Sequence, residues 1–325
     1  MDTQMFSGES YEDYFVRLFD NKSEYGLTCD EIATLLNKAS GKTYGESAYR
    51  KEYAAFNRGR CYERNQKKIK YSNRILALSD FHYPYQVPVN TFKDYFGAID
   101  TLVLNGDILD CHSLSRFNKE WNSRIMSEMI GCRAYLMELI SSIRPKTVVF
   151  TYGNHEIRMK QYLMNRVEGD LKELLPDTPL SLIVNDGFTH YDKRAGVKYY
   201  YEPLVEDFPD IQIVYNNNWY EKIGKTIFAH PIAYQTSMLK TTEKAVNYFY
   251  RTERDFQCVV LAHTHKVGSF IQGNVYMYEQ GACCDVKQLT YNEGKLTLPQ
   301  QGGFLYLCQD NEGNIIPSET KTIII

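Results

Sequence analysis

Residues 261–265 read LAHTH, which sets two imidazoles one position apart in a chain that has only seven histidines. They follow the apolar run Cys258-Val259-Val260-Leu261. Side chains two apart on an extended chain point to the same face, so His263 and His265 can reach one small volume. By itself H-x-H is a weak pattern, and a pair of surface loop histidines is its plainer reading. The other apolar runs decide between the two. RILALS (74–79) leads into Asp80-Phe81-His82, and TLVLN (101–105) into Gly106-Asp107-Ile108-Leu109-Asp110. KTVVFTY (146–152) leads into Gly153-Asn154-His155-Glu156, and KTIFA (225–229) into His230-Pro231. Five of the seven histidines therefore stand where a buried strand runs out, the edge on which α/β sheets carry their sites. Carboxylate, carboxamide and imidazole together suit divalent ions such as Mn²⁺, Fe²⁺ or Zn²⁺. The lack of clustered cysteines argues against a closed structural zinc site.

The ordered series D-x-H, G-D-x-x-D, G-N-H-E, H, A-H-T-H resembles the calcineurin-like metallophosphoesterase superfamily. It departs from the family pattern only at Ala262, where glycine is usual. The match spans 80–265, and residues 1–70 lie outside it. The resemblance implies a β-sandwich flanked by helices (α/β/β/α) and a pair of divalent ions, Mn²⁺ favoured over Fe²⁺, Zn²⁺ or Ni²⁺. It implies that Asp80, His82 and His265 hold one ion, that Asn154, His230 and His263 hold the other, and that Asp107 bridges them. Two ions about 3.5–4 Å apart can share and deprotonate a water, whose hydroxide attacks phosphorus in line. His155, not needed as a ligand, is left to protonate the leaving oxygen. Asp110 resembles the family aspartate that orients this histidine. Read from its position alone, Asp110 is also a candidate helix N-cap, a role that can coexist with the first. His112, Arg116 and Arg158 lie close enough to the motifs to contact substrate, although His112 reads first as an ordinary loop histidine.

The elements that must position these residues follow a strand–loop–helix alternation after residue 70, with GFLYLC (303–308) as a further strand and helical stretches at 119–143 and 157–175. Such alternation implies an α/β fold. Before residue 70 the pattern is helical. Thr28 and Glu31 have capping-box spacing, Ile32, Leu35 and Leu36 form an apolar face, and Gly41 ends the helix. A short turn, GKTYG, leads to a second helix carrying Tyr49, Tyr53 and Phe56. This outline is that of a helix-turn-helix. We expect an all-α domain at 1–70 and a metallophosphoesterase domain at 71–325.

Bulk composition narrows the class. With 325 residues, 43% hydrophobic and 24% charged, the chain can bury a large core. No apolar run approaches the roughly 20 residues of a membrane span. The acidic N-terminus lacks the plan of a signal peptide. The eight cysteines show no C-x-x-C spacing and read as reduced thiols of a cytoplasmic protein. Net charge is −3, but residues 50–70 carry eight bases against two acids. Arg50, Lys51, Arg58 and Arg60 are the candidates there for nucleic-acid contact, against the alternative of a helical cap with a solvated basic face.

Cys111-His112 follow Asp110 where protein Ser/Thr phosphatases of the superfamily usually carry Arg-Gly, which counts against that branch. DILDCHSLSRF together with GNHEIR looks most like members encoded by bacteriophages and prophages, several with a helical N-terminal extension. The favoured expectation is a metal-dependent phosphodiesterase or nuclease acting on nucleic acid or nucleotides. The alternatives are a phosphomonoesterase for a small molecule or phosphoprotein, and a DNA-binding phage protein with a vestigial metal site.

Overall fold

A computed structural model describes residues 3–67, 72–115, 124–233, 235–237, 239–289 and 299–325. The chain divides into two compact units, Met1–Lys70 and Tyr71–Ile325.

The first unit is helical: α1 (Tyr11–Asp20), α2 (Lys22–Tyr25), α3 (Cys29–Ser40) and α4 (Glu46–Lys67). Thr28 caps α3 through the expected reciprocal bonds, its Oγ1 accepting from Glu31 N and its own N donating to Glu31 Oε2 at 2.7 Å. Gly41 closes the helix at φ 69°, a conformation that favours glycine. Tyr14, Phe15, Leu18 and Phe19 of α1 pack with Ile32 and Leu36 of α3 and Tyr49 of α4 to form the unit's own core.

The second unit is built on β1 (Asn73–Leu78), β2 (Thr101–Asn105), β3 (Thr147–Thr151), β4 (Phe188–Asp192), β5 (Val197–Tyr201), β6 (Gln212–Tyr215) and β7 (Tyr220–Ile223). It continues with β8 (Thr226–Ala229), β9 (Cys258–Leu261), β10 (Val267–Gln272), β11 (Val275–Gln280), β12 (Gly303–Gln309) and β13 (Lys321–Ile324). Its helices are α5 (Ile125–Ile143), α6 (Ile157–Met164), the short α7 (Pro179–Ser181) and α8 (Leu204–Asp207), and α9 (Lys240–Thr252). One sheet has the order β13-β12-β1-β2-β3-β6, another β10-β11-β9-β8-β7, and β4-β5 form a hairpin.

Strand alternation explains the layering. Ile75 and Ala77 of β1 face Phe228, Cys258 and Val260 of the second sheet, forming the sandwich core. Leu76 and Leu78 point the other way, into a layer shared with Leu136, Leu139 and Ile140 of α5. On the far side, Ile227, Ala229, Val259 and Leu261 pack on Val246 and Phe249 of α9. The result is the expected α/β/β/α sandwich. β1, β2 and β3 run parallel, as do β8 and β9, so each sheet presents its motif-bearing strand ends on one edge.

Two helical stretches differ from expectation. The first begins at Ile125; residues 116–123, with Arg116, lie outside the described residues. The second ends at Met164, and a separate 3-10 turn covers Gly169–Leu174. Gly169, at φ 63°, cannot continue the helix. Among the described residues seven cysteines are free thiols. No helix among the described residues is long and apolar enough to cross a membrane.

Candidate metal centre

The strand ends converge. Asp80, His82 and His265 offer ligand atoms within 4.8 Å of one another, and so do Asp107, His230 and His263. Asp107 Oδ2 lies between the two sets, 3.3 Å from His230 Nε2 and 3.9 Å from His82 Nε2. His82 Nε2 and His265 Nε2 are 3.1 Å apart, and His265 Nε2 is 3.1 Å from Asp80 Oδ1. The Asn154 Oδ1 is buried and has no hydrogen-bond partner among the described residues. A buried acceptor left in this way is costly unless something binds it. His230 directs its Nδ1 to the Asn105 carbonyl at 2.8 Å, which turns Nε2 into the site. These features suit a pair of divalent ions.

Backbone conformation puts the side chains there. Asp80 (φ 53°), His82 (45°), Asp107 (50°), His263 (75°) and His265 (50°) all adopt the left-handed region, which non-glycine residues enter at a cost of about 1–3 kcal/mol each. The glycines of the second and third motifs answer to crowding. A Cβ on Gly106, itself at φ 77°, would lie 2.5 Å from His230 Nδ1, and one on Gly153 would lie 2.1 Å from Asp107 Oδ1. Ala262 keeps its methyl fully buried, so the usual glycine is not required at that place.

The buried acids and imidazoles of the site perturb one another strongly. Burial raises the Asp80 carboxyl, but His265 and His230 more than offset it and hold it at about 2. Burial pushes His263 down to about 3, and His230 adds to this, keeping His263 a neutral donor. Against burial, Asp107 and Asp80 hold His230 up at about 10.

Beside the two sets stands a third group, His82, Asp110 and His155. His155 Nδ1 is 3.0 Å from Asp110 Oδ1 and 2.8 Å from the Asp110 carbonyl, and His155 Nε2 is 3.8 Å from Asp107 Oδ2. Burial raises Asp110, but hydrogen bonds from His155 and His82 hold its carboxyl well below the usual range. It is not a helix cap: the 3-10 turn His112–Leu114 has Cys111 at its start and no side-chain cap. His112 Nδ1 lies 3.6 Å from Asp110 Oδ2. Arg158 donates from Nη2 to His155 Nε2 and from Nη1 to the Asp110 carbonyl, both at 2.8 Å.

Two further carboxylates support the site without belonging to a ligand set. Glu156 is fully buried and accepts from the backbone N–H of Asp107, Ile108, Leu109 and Gly153 at 2.6–3.0 Å, tying the second motif to the third. Its place in GNHE is a signal in the sequence. Glu128 of α5, also buried, accepts from Cys111 N, and nothing near it in the sequence announces the contact.

The basic residues of the first unit are not alike. Arg60 pairs with Asp20, Nη1 to Oδ2 at 2.6 Å and Nη2 to Oδ1 at 2.8 Å, and is thereby partly neutralised. Arg50 is exposed and pairs loosely with Glu46 at 3.3 Å. Lys51 is exposed, and the Arg58 side chain lies outside the described residues.

The calcineurin-like phosphoesterase family matches residues 73–267, more than half of the chain, and the chain belongs to that family. The N-terminal domain named for YonJ matches residues 1–68. Over 76 residues the chain is 37% identical to the SPbeta prophage-derived uncharacterized protein YonJ of Bacillus subtilis (strain 168). That stretch is 23% of this chain and 18% of that protein, so the chain matches under a fifth of its relative's length. Similar solved structures include vacuolar protein sorting 29 from Cryptosporidium parvum, at 14% identity and TM-score 0.38 over 79% of this chain and 99% of that one. Another is a dimetal phosphatase from Danio rerio, at 11% identity and TM-score 0.37 over 78% of this chain and 99% of that one.

Proposed function

We propose that the protein is a two-metal phosphodiesterase that acts on nucleic acid or nucleotides, with Mn²⁺ as the working ion. The observation that carries this is the placement of a buried His155–Asp110 pair against two adjoining ligand sets that share Asp107. In this reading Asp80, His82 and His265 hold one ion, Asn154, His230 and His263 the other, and Asp107 both. The ions would neutralise phosphoryl oxygens and lower the pKa of an attacking water. The chain's own residues do the rest. His155 protonates the leaving oxygen, and Asp110 fixes its ring. Arg158, and His112 beside Asp110, contact the reacting phosphate. Residues 1–70 act as a helix-turn-helix-like module whose exposed Arg50 and Lys51 meet nucleic-acid phosphates.

The test is a panel with added Mn²⁺: bis-p-nitrophenyl phosphate, p-nitrophenyl phosphate, single- and double-stranded DNA, and cyclic nucleotides. Diesters should be hydrolysed faster than the monoester, and elemental analysis should find about two ions per chain. Faster turnover of the monoester would reverse the substrate assignment. Purified protein that retains no divalent ion after Mn²⁺ loading would remove the metal centre.

A further inference from the structure

We infer that the cleft beside the metal centre holds a second phosphate, so that the substrate carries at least one phosphate besides the one that reacts. This rests on the phosphodiesterase reading and adds where the rest of the substrate lies. The cleft is about 500 Å³ and begins at Asn154. Arg158 and Tyr162 of α6, Arg166 just beyond it, and Ile232, two residues after His230, contribute to its walls.

Two cations share this space. Arg158 reaches His155 and the Asp110 carbonyl, at the reacting end. Arg166 is exposed and stands over the Tyr162 ring, its guanidinium carbon 3.7 Å from the ring centre and its Nη1 donating to the Tyr162 carbonyl at 3.5 Å. Among the described residues neither arginine has a carboxylate within ion-pairing distance, whereas Lys160 of the same helix is matched by Asp177. A guanidinium has five N–H donors in a planar fork that fits phosphate, and both arginines keep donors for a ligand. Arg158 is committed to the group at the reacting phosphate. Arg166, eight residues further along and set over Tyr162 in the same cleft, is the second cation open to an anion. A single-phosphate ester would leave it unused. A nucleic-acid strand and a nucleotide polyphosphate both carry a second phosphate.

The test uses the full chain loaded with Mn²⁺. The substrates are bis-p-nitrophenyl phosphate, the dinucleotide TpT, TpT bearing a 5′- or 3′-terminal phosphate, oligothymidylate and thymidine triphosphate. At least one added terminal phosphate should raise kcat/KM about ten- to a hundredfold, the range of a charge-assisted hydrogen bond. Arg166→Gln should remove most of that gain and lower TpT and bis-p-nitrophenyl phosphate much less, while Arg166→Lys should restore part of it. Preference for the phosphorylated dinucleotide and oligothymidylate marks a strand as the occupant, and preference for the triphosphate marks a nucleotide. Either supports the second site. No gain from a flanking phosphate overturns it, as does an equal loss on flanked and unflanked esters in the Gln variant. Failure to hydrolyse any diester, bis-p-nitrophenyl phosphate included, would instead sink the phosphodiesterase reading and this inference with it.

Discussion

His155 and Glu156 are neighbours with opposite duties. His155 has Nδ1 engaged by Asp110, which leaves Nε2, the nitrogen now accepting from Arg158 Nη2, as the one through which a proton can pass once a substrate takes up the arginine. His155→Ala should therefore keep both ions and lose about 10²–10⁴-fold in kcat on esters with poor leaving groups. The loss on p-nitrophenyl esters should be much smaller, because that leaving group needs little protonation. Equal losses on both would rule out proton donation. Glu156 belongs to neither ligand set, and its carboxylate accepts four backbone N–H groups. In Glu156→Gln an amide NH₂ meets two of those donors. With each unsatisfied buried donor costing about 1–3 kcal/mol, the variant should melt well below wild type and bind Mn²⁺ less completely. A melting curve that overlays wild type would show that the two loops do not depend on this carboxylate.

The elements show what the sequence can and cannot disclose. β1, β2, β3, β8, β9 and β12 are legible because both faces of each are buried, which writes a continuous apolar run. β5, rich in tyrosine, leaves four of its five residues exposed and β10 three of its six, so burial writes no such run in either. The metal-ligand candidates are legible because each sits at a strand end in a fixed local pattern. Glu128 is not: it joins Cys111 across 17 residues, and from the sequence it is one more charged residue of a helix. Burial pushes its carboxyl up from 4.5 to about 8. Between those two values the folded protein holds a proton there that the unfolded chain has released. Stability must then fall as pH rises through that window, by an amount on the order of a few kcal/mol. Glu128→Gln keeps a carbonyl for Cys111 N and removes the titration. Urea melts at pH 5 and pH 8.5 should show the wild type losing more stability than the variant, and parallel losses would place the pH dependence elsewhere.

At the scale of the whole molecule, two units with separate cores meet different demands, and the charge of the first tests whether it serves the chemistry of the second. Eight bases in residues 50–70 suggest a polyanion, but the structure thins the set. Arg60 is held by Asp20 and by Asn57, so its first duty is to join α4 to α1. Among the described side chains of that stretch Arg50 and Lys51 remain at the surface. If they meet phosphates, each releases condensed counterions from the DNA, and the slope of log K against log salt should flatten by about 0.9 for every phosphate left unneutralised. Arg50→Ala combined with Lys51→Ala in the full chain should therefore weaken DNA binding and flatten its salt dependence by nearly two, with Mn²⁺-dependent turnover of bis-p-nitrophenyl phosphate falling far less. Arg60→Ala should act differently, lowering the melting temperature with a smaller effect on the salt slope. Exposed pairs contribute only about 0–1 kcal/mol, so that shift should be modest. Binding curves for the double variant that overlay wild type at every salt concentration would remove nucleic acid from the first unit. The cleft beside the metal centre would then be the place to look for recognition of an extended substrate.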